Sequence, residues 1–247
     1  MNSNFAIGVK NQNVPVDGEM FAIRPSSKAW AEIGRVEKYV TDKLSKEGVQ
    51  VWEKPSKSKA HFTLFAGINK ATYDERVDIL YRIVDKIEAL NLKILTVNMD
   101  AADTKITRGP GHWVSLSFND KGELEKVHRA VKEALYESKA YRNGKIDQNK
   151  LEKNKYFPHI TLGICGVDNN PRHPDIVKLN DRGRKRQFEK EFEAQKRPGG
   201  KFYNRSFKID LSKIDLIGIK NLQKKTADRE YVELGKVISV EKPKSCV

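Results

Sequence analysis

The chain has 247 residues, 38% apolar and 32% charged, which is enough for a sizeable core beneath a well-solvated surface. Its two cysteines exclude a disulfide framework and a cysteine-rich zinc site, and no apolar run approaches the ~20 residues needed to span a bilayer. A net charge of +14 favours anionic partners such as nucleotides or nucleic acid over acidic ones, although a basic, merely soluble surface has the same composition.

Residues 1–19 are polar, with Gly8, Pro15 and Gly18, and read as an N-terminal arm or an extra edge strand. The remainder, 20–247, is expected to form one bilobal domain. Met20–Arg24 is a short strand stopped by Pro25. Ser26 or Ser27 then caps a helix whose buried stripe is Trp30, Ile33, Val36, Val40 and Leu44, ended by Gly48. Val49–Trp52 and Ala60–Ile68 read as strands around a polar loop. Thr72 with Glu75 forms a capping box for a second helix with Val77, Leu80, Val84 and Ile87 inward.

Leu92–Met99 alternates as a strand, Lys105–Thr107 is a short one, and Arg108–Gly111 is a turn. In His112–Phe118, alternation sets Trp113, Ser115 and Ser117 on one face and Val114, Leu116 and Phe118 on the other. Asp120 with Glu123 matches another capping box, before a helix striped by Leu124, Val127, Val131 and Leu135. A charged loop covers 139–155, and His159 lies on the next strand. Residues 168–206 form a basic insertion with a short charged helix near Arg186–Lys196. Its run Arg182, Arg184, Lys185, Arg186 reads first as a solvated loop, and otherwise as a grip on a phosphate backbone or a nuclear-import-like patch. Phe207–Leu211, Lys213–Ile219 and Tyr231–Val240 close the chain as strands, before a frayed tail.

Two strings stand out, Ala60-His61-Phe62-Thr63-Leu64 and Pro158-His159-Ile160-Thr161-Leu162. On a strand each puts its His and Thr on one face and two apolar residues on the other. A single strand histidine is more often a satisfied edge residue, but the pair, 98 positions apart, recurs within a repeated strand–helix–strand layout, around Ala22 and then around Val114. The layout implies two pseudo-symmetric antiparallel sheets with helices outside and the motif strands lining a central cleft. Two imidazoles suit acid–base chemistry at neutral pH, one neutral and one protonated, and two threonine hydroxyls suit the non-bridging oxygens of a phosphodiester. That chemistry requires no metal and no cofactor.

These strings resemble the paired signatures of the two-histidine (2H) phosphoesterase superfamily, with Tyr156-Phe157-Pro158-His159-Ile160-Thr161-Leu162-Gly163 an especially good match to the second. The resemblance implies a bilobal α+β fold and metal-independent phosphodiester chemistry by His61, Thr63, His159 and Thr161. The expected substrates are 2′,3′-cyclic phosphate ends or 2′-5′-linked oligoadenylates. A hydrolase of cyclic oligonucleotide messengers and a non-catalytic RNA-binding module are the alternatives.

Trp113 and Tyr156 are candidates for stacking on a base, and Lys155 and Arg108 for contacting phosphate. Phe157 is read as core, His112 as a bystander at a turn, His128 as a surface residue and His173 as a loop residue. None of these histidines has a convincing metal partner. The N-terminus lacks a secretory pattern, and Cys246 stands second from the end, where no prenylation box places it. An intracellular monomer, cytoplasmic or nuclear, with a nucleotide or short RNA as partner and no membrane contact, is the expectation.

Overall fold

A period of 3.6 in the helices and of 2 in the strands divides the chain into eleven strands and six helices among the described residues. The structure is a computed structural model describing residues 5–10, 14–53, 60–91, 94–107, 112–118, 122–152, 156–165, 182–221 and 229–239, with the backbone alone at 52–53, 101, 105–107, 112–113, 164–165, 182–185 and 239. The elements are β1 (Phe5–Val9), β2 (Gly18–Ile23), α1 (Ser27–Lys46), β3 (Val51–Glu53), β4 (Phe62–Ile68), α2 (Tyr73–Leu90), β5 (Ile94–Asn98), β6 (Ala102–Thr107), β7 (His112–Phe118), α3 (Glu123–Glu137), α4 (Lys139–Arg142), α5 (Gln148–Leu151), β8 (His159–Cys165), α6 (Arg182–Gln195), β9 (Ser206–Asp210), β10 (Ile214–Lys220) and β11 (Glu230–Ser239).

Local chemistry sets the helix ends. Ser26 Oγ accepts from the Ala29 amide at 3.2 Å to start α1, and Gly48 follows its end with φ 70°. Thr72 and Glu75 close the expected capping box on α2, the Glu75 amide donating to Thr72 Oγ1 (3.3 Å) and the Thr72 amide to Glu75 Oε2 (2.7 Å). The third helix differs from expectation. Gly122, in the left-handed region, is its N-cap with no side-chain bond, and Asp120 lies outside the described residues. The stretch 139–155 is not all loop, because Ser138 and Asp147 cap the short helices α4 and α5. The arm at 1–19 supplies β1, an edge strand on β11.

Two antiparallel sheets carry the architecture, in the orders β1-β11-β10-β2-β4 and β3-β8-β7-β6, with β5 and β9 as a separate pair. Helices α2 and α3 back the first sheet, and α1 and α6 back the second. One apolar core runs through both, from Phe21, Ile23, Phe62 and Leu64 to Leu116, Ile160 and Leu162. A buried ion pair ties β2 to α2. Glu19 accepts from Arg76 at 2.7 and 3.2 Å and from the Ala71 amide at 3.0 Å. Burial still pushes its carboxyl above the ordinary value.

The described part of the expected insertion is packed. Phe188 and Phe192 of α6 are buried, Phe192 rests on Phe202 with ring centroids 5.4 Å apart, and Lys43 of α1 pairs with Glu191. The run at 182–186 therefore opens a helix rather than lying in a loop, and Arg186 on it is exposed.

The repeat is visible in the register. Ala22 pairs with Thr63 and Ile23 with Phe62 in the first sheet. Ser115 pairs with Thr161 and Leu116 with Ile160 in the second. Ala22 therefore corresponds to Ser115, one residue beyond the Val114 that sequence spacing suggested. Both pairings slip at the same place, so Leu64 and Leu162 are the extra residues of equivalent β-bulges.

Candidate active site

The side chains of Phe62 and Leu64 enter the core, which leaves Thr63 on the opposite face of β4, where it is half-buried. Its cross-strand neighbour Ala22 belongs to a small second cluster with Met20, Ile217 and Ile219, against which Tyr231 and Ala66 pack. His61, one residue before β4, has its ring 5.7 Å from that of Tyr231. His61, Thr63 and Tyr231 thus share the face of the first sheet turned away from α2 and α3. Arg24 and Asp215 share it too, as an ion pair closed at 3.2 Å between Arg24 Nε and Asp215 Oδ2.

In the second sheet Ile160 and Leu162 are buried, and His159 and Thr161 are half-buried on the other face. Ser117 lies directly across from His159 and Ser115 from Thr161. Both serines are almost fully buried, and Ser117 Oγ donates to the Asp103 carbonyl at 3.3 Å. His159 Nδ1 donates to the carbonyl of Phe157 at 2.9 Å. That bond fixes the tautomer and leaves Nε2 as the nitrogen able to accept a proton when neutral and give one when charged.

Tyr156 joins the two halves. Three residues before His159, its hydroxyl donates to the carbonyl of Thr63 at 3.2 Å. The entry to β8 is therefore fastened to the threonine of the first motif, and β4 also approaches β8 directly. The Tyr156 ring stacks on His128 of α3, with centroids 4.4 Å apart and planes at 12°. His128 Nδ1 in turn donates to the carbonyl of Leu64, the bulge residue. Burial pushes the His128 imidazole below its ordinary value, and the bond to Leu64 opposes this only in part.

Two aromatic residues and one histidine thus exchange the roles expected of them. Tyr156, read as a base-stacking residue, has one ring face covered by His128 and acts as a brace. Phe157, read as core, is 41% exposed, 6.2 Å from the His159 ring. His128, read as a surface residue, is half-buried under the motif strand. Trp113 sits on β7 with its backbone opposite Ile164, and His112 opposite Cys165. Arg108, Lys155 and His173 lie outside the described residues. Tyr231, Arg24, Asp215 and Ser115 were not foreseen. Only for Ser115 did the sequence hold a signal, a polar alternation shared with Ser117. The other three reach the site through pairing between strands remote in sequence.

Among the described residues no group of three or more His, Cys, Asp and Glu is placed to hold a metal ion, and no helix is long and apolar enough to cross a membrane.

No family model matches the sequence, and no curated protein does. Solved structures do. E. coli LigT in its apo form superposes with a TM-score of 0.50 at 12% identity, covering 90% of this chain and 96% of that one. LigT complexed with 3′-AMP gives 0.50 at 13% identity, covering 92% and 99%. Usb1 of Kluyveromyces marxianus gives 0.44 at 14% identity, covering 88% and 96%. The chain has the fold of LigT, antiparallel sheets with helices outside, as the sequence led one to expect.

Proposed function

We propose that this protein is a phosphodiesterase of the two-histidine type, acting without a metal on RNA-type phosphodiesters. The substrates are 2′,3′-cyclic phosphate ends or 2′-5′-linked oligoadenylates. The observation that carries the reading is the matched register: each His-x-Thr-Leu string ends in a β-bulge at its leucine and turns its His and Thr away from the core. A duplicated fold has no packing reason to keep an imidazole and a hydroxyl at equivalent rungs of both sheets. Two-sided acid–base work on one phosphorus supplies a reason. The fold of LigT, one of whose structures holds 3′-AMP, agrees with a nucleotide ligand.

On a 2′,3′-cyclic end, His159 Nε2 takes a proton from water as the water oxygen bonds to phosphorus. The bond from phosphorus to one ribose oxygen breaks, and His61 protonates that oxygen, leaving a phosphomonoester. Thr63 and Thr161 donate to the non-bridging oxygens as their charge grows. On a 2′-5′ linkage His159 acts instead on the neighbouring ribose hydroxyl. The exposed ring of Phe157 offers a base a stacking surface beside His159.

The test is turnover in the presence of EDTA on 2′,3′-cyclic nucleotides, 2′-5′ and 3′-5′ oligoadenylates and cyclic dinucleotides. Turnover of either of the first two substrate classes supports the reading. Turnover confined to cyclic dinucleotides would make the protein a messenger hydrolase, and binding without turnover an RNA-binding module. His61→Ala and His159→Ala are each expected to lower kcat by roughly 10²–10⁴-fold with unchanged melting. A folded variant of either kind that keeps most of its activity would sink the shared site.

A further inference from the structure

The duplication allows the two halves of the site to be compared rung by rung. Histidine and threonine repeat, but the residue facing each histidine does not. In the second sheet that residue is Ser117, 3% exposed. In the first sheet the corresponding position is Arg24. It follows Ile23 as His61 precedes Phe62, so Arg24 and His61 flank the last pair of the ladder, one residue beyond the ends of β2 and β4. A charged side chain thus stands in one lobe where the other has a small buried hydroxyl. The shared parts serve the symmetric task, holding one phosphate. The part that differs is suited to telling one end of the substrate from the other.

Arg24 is built for an anion. Its neighbours Pro25 and Ile23 are buried, while its own side chain is 30% exposed on the His61 face. Asp215, across from Ala22 on β10 and 18% exposed, pairs with the guanidinium at Nε. Among the described residues Asp215 is its one acidic partner. A guanidinium steadied at Nε presents its two terminal nitrogens as a fork, the geometry that takes two oxygens of one phosphate. Asp215 lies two strands from Thr63, about 10 Å at the usual strand spacing. The ion pair thus draws the Arg24 guanidinium to the β10 side of β2, away from Thr63 on β4. Lys236, across from Asp215, is itself paired with Glu233 at 3.7 Å, which leaves Arg24 as the cation of this row turned to the site.

We propose that Arg24, oriented by Asp215, binds a second phosphate of the substrate, so that the site selects nucleotides carrying a phosphate beyond the one that reacts. This rests on the phosphodiesterase reading for the position of the reacting phosphate, but it is tested by binding, without turnover. The probes are adenosine 2′-monophosphate, with one phosphate, adenosine 2′,5′-bisphosphate, which adds a terminal phosphate, and the dinucleotide ApA bearing a 2′-phosphate, which adds an internal phosphodiester. Calorimetry should show at least one two-phosphate probe binding about 10- to 100-fold tighter than the monophosphate.

Arg24→Met should reduce that advantage to about two-fold, and Arg24→Lys, which keeps charge without the fork, should restore only part of it. Whichever probe shows the Arg24-dependent gain identifies the second phosphate as terminal or internal. Arg24→Met/Asp215→Asn, which leaves no lone buried carboxylate, carries the test if the single variant does not fold. No advantage in the wild type, or an advantage that survives in a folded Arg24→Met or double variant, overturns the proposal. Failure of the phosphodiesterase reading would show separately, as absence of turnover on the EDTA panel.

Discussion

At His128 a side chain outside both motifs holds one of them in place. The ring donates to the Leu64 carbonyl and covers the face of Tyr156, whose hydroxyl holds the Thr63 carbonyl. Two consecutive peptide groups of the motif strand are thus fixed by one stacked pair. Nδ1 can donate whether the ring is neutral or charged, but burial favours the neutral ring and pushes the imidazole down. A histidine depressed in the folded state contributes stability above its unfolded pKa near 6.5, and this is lost as pH falls towards the folded value. The melting temperature of the wild type should therefore drop between about pH 7 and pH 5, and that of His128→Gln, whose amide can donate without titrating, should drop less over the same window. His128→Ala, which removes bond and stack together, should lower kcat about 10- to 100-fold with little change in KM, because β4 is then free to shift. Equal pH slopes for wild type and His128→Gln would remove His128 from this role. The sequence read His128 as a surface residue because the apolar stripe of its helix, Leu124, Val127, Val131 and Leu135, says which face is greasy and not what the next face meets.

Among the elements, α6 separates what periodicity can report from what it cannot. Its composition is dominated by charge, and its two phenylalanines, Phe188 and Phe192, four residues apart, are its whole apolar stripe. Both are buried, with Phe192 against Tyr39 of α1 and Phe202. Phe192→Ala should cost about 3–5 kcal/mol of unfolding free energy, and Arg186→Ala on the exposed side less than about 0.5, read from denaturant midpoints at constant slope. A Phe192→Ala variant as stable as wild type would return α6 to the status of an appendage. The long helices were legible because caps and stripes agree, as at Ser26 and at Thr72 with Glu75. The short α4 and α5 were not, since a four-residue helix has no period and only Ser138 and Asp147 signal it. That the His and Thr of each motif turn away from the core was legible, because a strand's alternation is strict over three positions. Tyr231 and Asp215 were hidden because nothing local in a strand states which strand will lie beside it.

Across the whole molecule the two lobes exchange helices. Helix α1 follows β2 of the first sheet but packs behind β3 and β8 of the second, and α3 follows β7 of the second sheet but packs behind β4 of the first. Each sheet is therefore backed by a helix whose preceding strand belongs to the other, and a single apolar core joins them. A lobe that opened alone would pull its backing helix away from a connection still folded into its neighbour, so the two motifs should lose structure together. Leu135, fully buried on α3, is the place to test this. Leu135→Ala removes packing behind the first sheet and should cost about 2–5 kcal/mol. Hydrogen exchange should then show protection falling by the same free energy in β8 of the second sheet as in β4 of the first. If β8 keeps wild-type protection while β4 loses it, the lobes unfold separately and the exchanged helices do not couple them. If both fall together, the spacing between the two histidines belongs to one cooperative unit, and any core substitution in either lobe will be felt at both.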